Sequence, residues 1–371
     1  MKIGILKEIQ GDKRVALLPE NVVKLQQMNV ALAIEQGAGE GAFISDQQYR
    51  EAGAEIQTGD QVMLESDMLV RIHPFTGEEI SHMGSGKVLL SLFNPLTNKE
   101  LMQVAAEKGH TLFSLDMIPR ITRAQSMDVL SSMATTAGYK AVLDAANNLP
   151  SFFPMFMTAA GTIRPAKILI LGAGVAGLQA IATARKLGGV VEAFDVRTAV
   201  KEEVQSLGGK FIEVEGAREK QDSGGYAVEQ TEEYKKKQQQ LIHDHAVKSD
   251  VVITTAQIPG KRAPVLLKKE TVEKMKAGSV VVDLAASSGG NCELTQDNQK
   301  LIHQGVIIVG NSNYPSDLPA DASKMFGNNL LNFMKLLIDE QGALVLNFDD
   351  EIVEKSCITH DNQIVHERLK E

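Results

Sequence analysis

The chain has 371 residues, enough for two domains of ordinary size, each with its own core. Its 38 basic and 47 acidic residues give a formal net charge of −9 with no basic tract, which argues against a nucleic-acid surface. Two cysteines, Cys292 and Cys357, are too few and too far apart for a disulfide framework or a cysteine metal site, and no apolar run approaches the roughly 18–20 residues of a membrane span.

The N-terminal MKIGILKEIQ is charged and alternating, unlike a signal peptide, so a soluble chain in a reducing compartment is expected. Strand-like apolar runs follow at 2–6, 30–36, 67–72, 87–93 and 110–115, with amphipathic stretches such as 19–28 between several of them. That rhythm predicts βαβ units and a parallel sheet. Residues 128–149 read as one long helix closed by Pro150, and 151–166, broken by prolines and a glycine, as a linker or surface loop. A second α/β set has strands at 167–171, 190–194, 210–214, 251–256, 279–285 and 305–310, followed by an amphipathic helix at 323–340 and a mixed tail. The fold class expected is α/β: two doubly wound Rossmann-like domains with parallel sheets, joined by long helices, with a cleft between them. Residues 1–127 with about 323–371 form the first, and 128–322 the second, which includes the connecting helix.

The most specific stretch is PAKILILGAGVAGLQAIATARKLGGVVEAFDVR, 165–197. A buried strand runs into Gly172, Gly174 and Gly177, with Val175 and Ala176 opening a helix, and a second strand ends at Asp195. Gly172 suits the tight turn, Gly174 lets backbone approach a pyrophosphate, and Gly177 lets helix pack on strand. The helix N-terminus then holds phosphate charge. Asp195, about 20 residues further on, is placed for the adenosine ribose 2′-OH. A carboxylate there repels a 2′-phosphate and favours NAD over NADP, while Arg197 weakens that preference.

Acid–base candidates are sparse. His73, His82 and His110 are scattered, and His243 and His245 sit in a polar run that reads as a solvated helix end rather than a metal site. No HExxH, GxSxG or Walker A pattern occurs. The stretch RITRAQSMDVLSS, 120–132, instead crowds directional polar groups where an extended segment gives way to the long helix. Arg120, Gln125, Asp128 and Ser131 can grip a carboxamide or a ribose. Ser126 or Asp128 can equally cap the helix that begins near 128. The long polar segment 215–240 reads either as a solvated helix plus loop or as a lid with glycine hinges and Tyr226 as its contacting aromatic.

These motifs resemble the soluble NAD(H)-binding component (domain I, alpha subunit) of proton-translocating nicotinamide nucleotide transhydrogenase. The residues that carry the likeness are 14–20, 35–42, 119–132, 152–184, 194–197, 224–229, 254–267 and 283–294, and it spans essentially the whole chain. The resemblance implies an enzyme component that passes hydride between NADH bound here and NADP(H) bound on a partner subunit, coupled to proton translocation. It implies nicotinamide-orienting roles for Arg120, Gln125, Asp128 and Ser131. Further cofactor contacts are implied at Ile121, Thr122, Arg123, Gly172, Gly174, Val175, Ala176, Gly177, Asp195, Val196, Arg197, Gly225, Tyr226, Ala256 and Gln257, with 215–240 as a mobile loop. It also implies a homodimer working with NADP-binding and membrane-spanning subunits. The location implied is cytoplasmic, peripheral to the membrane through the complex, without insertion of this chain, metal or nucleic acid.

Alanine dehydrogenase shares the fold and supplies the alternative function, an NAD-dependent amino-acid dehydrogenase. Its pattern has a lysine after the third strand, a histidine after the fourth and an acid before a Gly-Gly pair. Here those places hold Arg71-Ile72-His73, Phe93-Asn94 and Ser287 or Ser288. Arg14, a substrate-carboxylate residue in that relative, remains, and reads here as a structural ion-pair partner. An NAD-sensing module that only binds is the non-enzymatic reading.

Overall fold

The computed structural model describes residues 1–214, 231–258 and 260–370 and divides into two units. The first comprises Met1–Met133 with Pro315–Glu371, the second Ala134–Tyr314. In chain order the first eight strands are β1 (Lys2–Ile5), β2 (Ala31–Glu35), β3 (Glu55–Gln57), β4 (Met68–Val70), β5 (Val88–Ser91), β6 (Thr111–Ser114), β7 (Phe156–Thr158) and β8 (Gly161–Ile163). The rest are β9 (Lys167–Leu171), β10 (Val190–Phe194), β11 (Lys210–Ile212), β12 (Val251–Thr254), β13 (Val280–Asp283), β14 (Gln299–His303), β15 (Val306–Gly310), β16 (Cys357–His360) and β17 (Gln363–Ile364).

The first unit's sheet runs β3-β2-β1-β4-β5-β6-β16-β17. Its first six strands are parallel, and β16 and β17 add antiparallel at the edge. One face carries Ile3, Ile5, Ile34, Val70, Leu90 and Phe113 against Phe326, Leu330 and Phe333 of the helix Pro319–Met334. The other packs Leu69, Leu89 and Leu112 on Val62, Ile80 and Met102 from three shorter helices. Two covered faces explain why these strands read as continuous apolar runs rather than alternating ones.

The second unit's sheet runs β11-β10-β9-β12-β13-β15-β14, parallel except for β14. Ile168, Ile170, Val251 and Ile253 face the helices that supply Ala141, Val142, Ala180 and Ile181, while Leu169, Leu171 and Val252 face Tyr234, Ile242 and Val272. Both sheets therefore have the doubly wound order, reversing between β1 and β4 and between β9 and β12.

The structure corrects several element boundaries. Residues expected as a linker contain the β7–β8 hairpin. Its strands are exposed throughout and only three residues long, so no buried face imposes a period on the sequence. Strands β3, β14, β16 and β17 were also unread. β3 and β14 are edge-side strands with little burial, and β16–β17 is too short for a pattern. The tail helix starts four residues early, at Pro319, where proline's fixed φ suits a first helical turn, and ends at Met334. The expected connecting helix is Val129–Asn148. Among the described residues no helix is long and apolar enough to cross a membrane.

Candidate functional site

In the second unit, β9 ends at Leu171 and the chain turns sharply at Gly172, φ +105°. A Cβ on Gly172 would stand 2.5 Å from Thr255 Oγ1, and one on Gly177 would stand 1.9 Å from the Gly172 carbonyl oxygen. Both positions therefore require glycine for close packing. Gly174 differs, because its Cβ direction is open, with only an Arg197 nitrogen at 4.0 Å. Gly174 precedes the helix Val175–Lys186, whose N-terminus has no side-chain cap. Uncapped amides, a positive dipole end and open space beside Gly174 suit a pyrophosphate. Val175 is exposed and Ala176 half-buried. The Ala176 carbonyl also lies against the connecting helix, where a Cβ on Gly138 would stand 2.1 Å from it.

Asp195 follows β10 and is more tightly held than the ribose role suggests. Its Oδ2 accepts from the Ala173 N–H at 2.7 Å and from Arg197 Nη2 at 2.8 Å. Its Oδ1 accepts from the Arg197 N–H and from Arg197 Nε, both at 2.9 Å. The carboxylate thus braces the glycine loop, and four donors fill its acceptor sites. The Asp195 hydrogen bond raises the Arg197 pKa, so the guanidinium stays charged. A ribose diol reaching Asp195 must displace part of this fork. Val196, between the two, is half-buried.

Across the crevice, β12 continues into Thr255, Ala256 and Gln257. Thr255 Oγ1 donates to the Gly172 carbonyl at 3.1 Å. Buried Asn291 clamps Ala256 at both backbone atoms, accepting from its N–H and donating to its C=O, each at 2.9 Å, and also donates to the Pro264 C=O at 2.8 Å. Asp283, fully buried at the end of β13, accepts from Thr254 Oγ1, Thr295 Oγ1 and the amides of Ala285 and Cys292. Gln257 is exposed, with its amide on the Leu284 carbonyl at 3.0 Å. Gly225 and Tyr226, and residues 215–230 of the expected lid, lie outside the described residues; 231–240 hold Thr231, which caps the helix Glu232–Ala246, and that helix's beginning.

In the first unit, residues 120–132 form a turn, Thr122–Met127, leading into Val129–Asn148. Ala124 and Met127 anchor it in the core. Arg120, Thr122, Arg123 and Gln125 are exposed, and Ile121, Asp128 and Ser131 half-buried. Asp128 caps the helix: Oδ1 accepts from the Ser131 N–H at 2.8 Å and Oδ2 from Ser131 Oγ at 2.6 Å. Capping thus accounts for Asp128 and Ser131 locally. Arg123, expected at the cofactor, is forked onto Asp350.

Two profiles of one family match this chain: the alanine dehydrogenase/PNT N-terminal domain over residues 4–137 and the C-terminal domain over 141–367. The chain belongs to the alanine dehydrogenase/PNT family. It is 47% identical to the first of the chains that make up NAD(P) transhydrogenase subunit alpha in Rhodospirillum rubrum, covering 100% of this chain and 99% of that one. A solved transhydrogenase structure from Sinorhizobium meliloti is 44% identical, superposes with a TM-score of 0.90, and is covered 100% by 98% of this chain. Alanine dehydrogenase of Mycolicibacterium smegmatis is 27% identical over 100% of this chain and 96% of its own.

Within this family, the positions where the alanine dehydrogenase pattern has acid–base groups are engaged otherwise here. Arg71, after what is the fourth strand rather than the third, is buried, forked onto Glu79 at 2.8 Å per contact and lying over the Phe75 ring. His73 Nδ1 contacts Glu8 at 2.9 Å. Asn94 takes a positive φ of 48°. Ser288 Oγ donates to the Ala285 carbonyl at 3.0 Å. Arg14 pairs with buried Asp12, Nε donating to Oδ1 at 3.0 Å. Burial opposes charge on Asp12, but the Arg14 hydrogen bonds and charge outweigh it and hold the carboxyl below its ordinary range. His243 and His245 turn to different partners, Thr271 and Glu192, and among the described residues no cluster of three metal-type ligands exists. Sequence reasoning missed Gly138, Thr255, Asp283 and Asn291. Asn291 lies inside the quoted 283–294 stretch, but its grip on Ala256 spans 35 residues and leaves no local pattern.

Proposed function

We propose that this chain is the NAD(H)-binding component of a proton-translocating transhydrogenase. The observation that carries the reading is the glycine loop: open space at Gly174, an uncapped helix N-terminus, and Asp195 bracing the loop from the next strand. The closer identity to transhydrogenase alpha subunits than to alanine dehydrogenase favours this over an amino-acid dehydrogenase. When bound, the nucleotide supplies hydride exchange, in which both electrons and the hydrogen leave C4 of one nicotinamide for C4 of another. That step needs orientation more than a proton carrier. Gly172, Gly174, Val175, Ala176 and Gly177 hold the pyrophosphate, and Asp195, Val196 and Arg197 the adenosine ribose. Ala256 and Gln257 form a wall that Asn291 fixes. Arg120, Ile121, Thr122, Arg123, Gln125, Asp128 and Ser131 belong to the turn that orients the nicotinamide, and Gly225 and Tyr226 to the segment that closes over it.

NADP(H) then resides on a partner subunit and proton movement in membrane-spanning subunits, with this chain held at the cytoplasmic face through them. A homodimer is included in the same reading. Its support is the β7–β8 hairpin, where Phe156, Ile163 and Met157, the last 75% exposed, join exposed Phe152 and Met155 in an apolar surface of the kind a second copy covers. A Met157→Lys/Phe156→Asp variant is expected to run as a monomer by light scattering, and an unchanged mass rejects the hairpin as the contact.

The functional test is spectrophotometric. Purified chain is expected to bind NADH saturably, to leave pyruvate and ammonium untouched, and to oxidise NADH when an NADP⁺-loaded partner component is added. NADH consumption with pyruvate and ammonium alone establishes the dehydrogenase instead. Binding without transfer to any NADP-loaded partner supports a sensing module.

A further inference from the structure

The turn that carries Arg120 to Ser131 takes much of its support from the far end of the chain. Asn329 and Asn332, one helical turn apart on Pro319–Met334, both donate side-chain amide protons to the Ser126 carbonyl, at 2.8 and 3.1 Å. Asn329 also accepts from Ser132 Oγ at 2.6 Å. Asp350 takes the Arg123 guanidinium in a two-point fork, with Nη1 to Oδ2 at 2.6 Å. The same carboxylate caps the helix Glu351–Ser356 by accepting from the Ile352 N–H at 2.8 Å. The Arg123 hydrogen bond holds Asp350 below the ordinary carboxylate range, so it is charged at neutral pH.

Ala124 and Met127 fix the inner side of the turn in the core, and these three residues fix its outer side. Between the two grips Gln125 is exposed. A carbonyl that receives two amides, beside a charged fork, is restrained in both position and orientation. Such double restraint exceeds what the helix start requires, since Asp128 and Ser131 already satisfy its cap.

We infer that Asn329, Asn332 and Asp350 are positioning residues for hydride transfer, clamping the turn 120–131 so that its exposed side chains meet the nicotinamide in one geometry. This rests on the transhydrogenase reading. None of the three is assigned to nucleotide contact, so the inference separates rate from affinity: loss of the clamp slows transfer without weakening NADH.

Two variants of the full chain test it. Asp350→Asn retains an N-cap of equal quality while losing the charged fork. The double variant Asn329→Ala/Asn332→Ala removes both amides from Ser126. NADH affinity is read from nucleotide fluorescence, transfer rate at saturating NADH with the NADP-loaded partner component, and loop restraint from hydrogen exchange over residues 120–132. The expected result is transfer slowed about tenfold in each variant, NADH affinity within about twofold, and faster exchange in the turn. Unchanged exchange, or an unchanged transfer rate, overturns the clamp. So does a loss of NADH affinity that matches the loss of rate, which marks general damage. A wild-type chain that transfers no hydride overturns the transhydrogenase reading and this inference with it, an outcome distinct from failure of the clamp in an active protein.

Discussion

The two sheets share one strand order, yet their switch points are furnished in opposite ways. In the second unit the crevice between β9 and β12 is emptied of side chains, with glycine at 172, 174 and 177 and only the Thr255 hydroxyl crossing to the glycine loop. In the first, the corresponding crevice between β1 and β4 is occupied by the protein's own acid. Glu8 accepts from the amides of Ile72 and His73 at 2.7 and 3.1 Å and from His73 Nδ1 at 2.9 Å. Free strand-end amides can bind a ligand anion, and here a side-chain carboxylate already fills that role. A shared topology thus supplies two candidate crevices, and side-chain bulk and charge decide which one is open.

The sharpest way to break this comparison is to fill the open crevice. Gly177→Ala forces a Cβ to 1.9 Å from the Gly172 carbonyl, so the glycine loop must move. NADH affinity by fluorescence is expected to fall about 100-fold, with a stability loss of about 1–3 kcal/mol. Emptying the closed crevice is the complement. Glu8→Ala leaves two strand-end amides without their carboxylate and is expected to cost about 3 kcal/mol in denaturant unfolding of the first unit, with NADH affinity unchanged. A variant that instead weakens NADH refutes the division of labour. Asp195→Asn sharpens the picture of the open site. Releasing the charge on Arg197 is expected to reduce the preference for NADH over NADPH by about tenfold in paired titrations.

The smallest effect concerns His110, buried in the first unit away from either crevice. Nδ1 accepts from the Lys87 N–H, and Nε2 lies 3.1 Å from the Ile80 carbonyl. Burial, reinforced by Lys87 and Lys108, lowers its pKa below the ordinary 6.5. The unfolded chain therefore binds more protons than the folded one as pH falls through that value, and stability declines with it. The melting temperature is expected to drop more between about pH 7.5 and 5.5 in the native chain than in His110→Gln.

Much of this architecture can be read from residue order alone. β9, β12 and β13 are buried on both faces, so their runs of Ile, Leu and Val stand out, and Gly172, Gly174 and Gly177 announce the turn between strand and helix. What escaped reading is what depends on distant partners. β16 is four residues long and becomes a strand through pairing with β6, some 245 residues away. Asp195 showed its position but not its fork with Arg197. The polar crowd at 120–132 showed that something is held there, but not that Asn329, Asn332 and Asp350 hold it. Pairings of that range have no periodicity to betray them.

That late strand also sets an order of assembly. The second unit is an insertion within the first, and its last strand precedes β16 by more than forty residues. During synthesis the ribosome delivers a complete nucleotide-binding unit while the first sheet still lacks the neighbour of β6 and the helix Pro319–Met334 that covers one of its faces. The domain whose residues emerge first is therefore the one that finishes last, with an uncovered sheet edge in the interval.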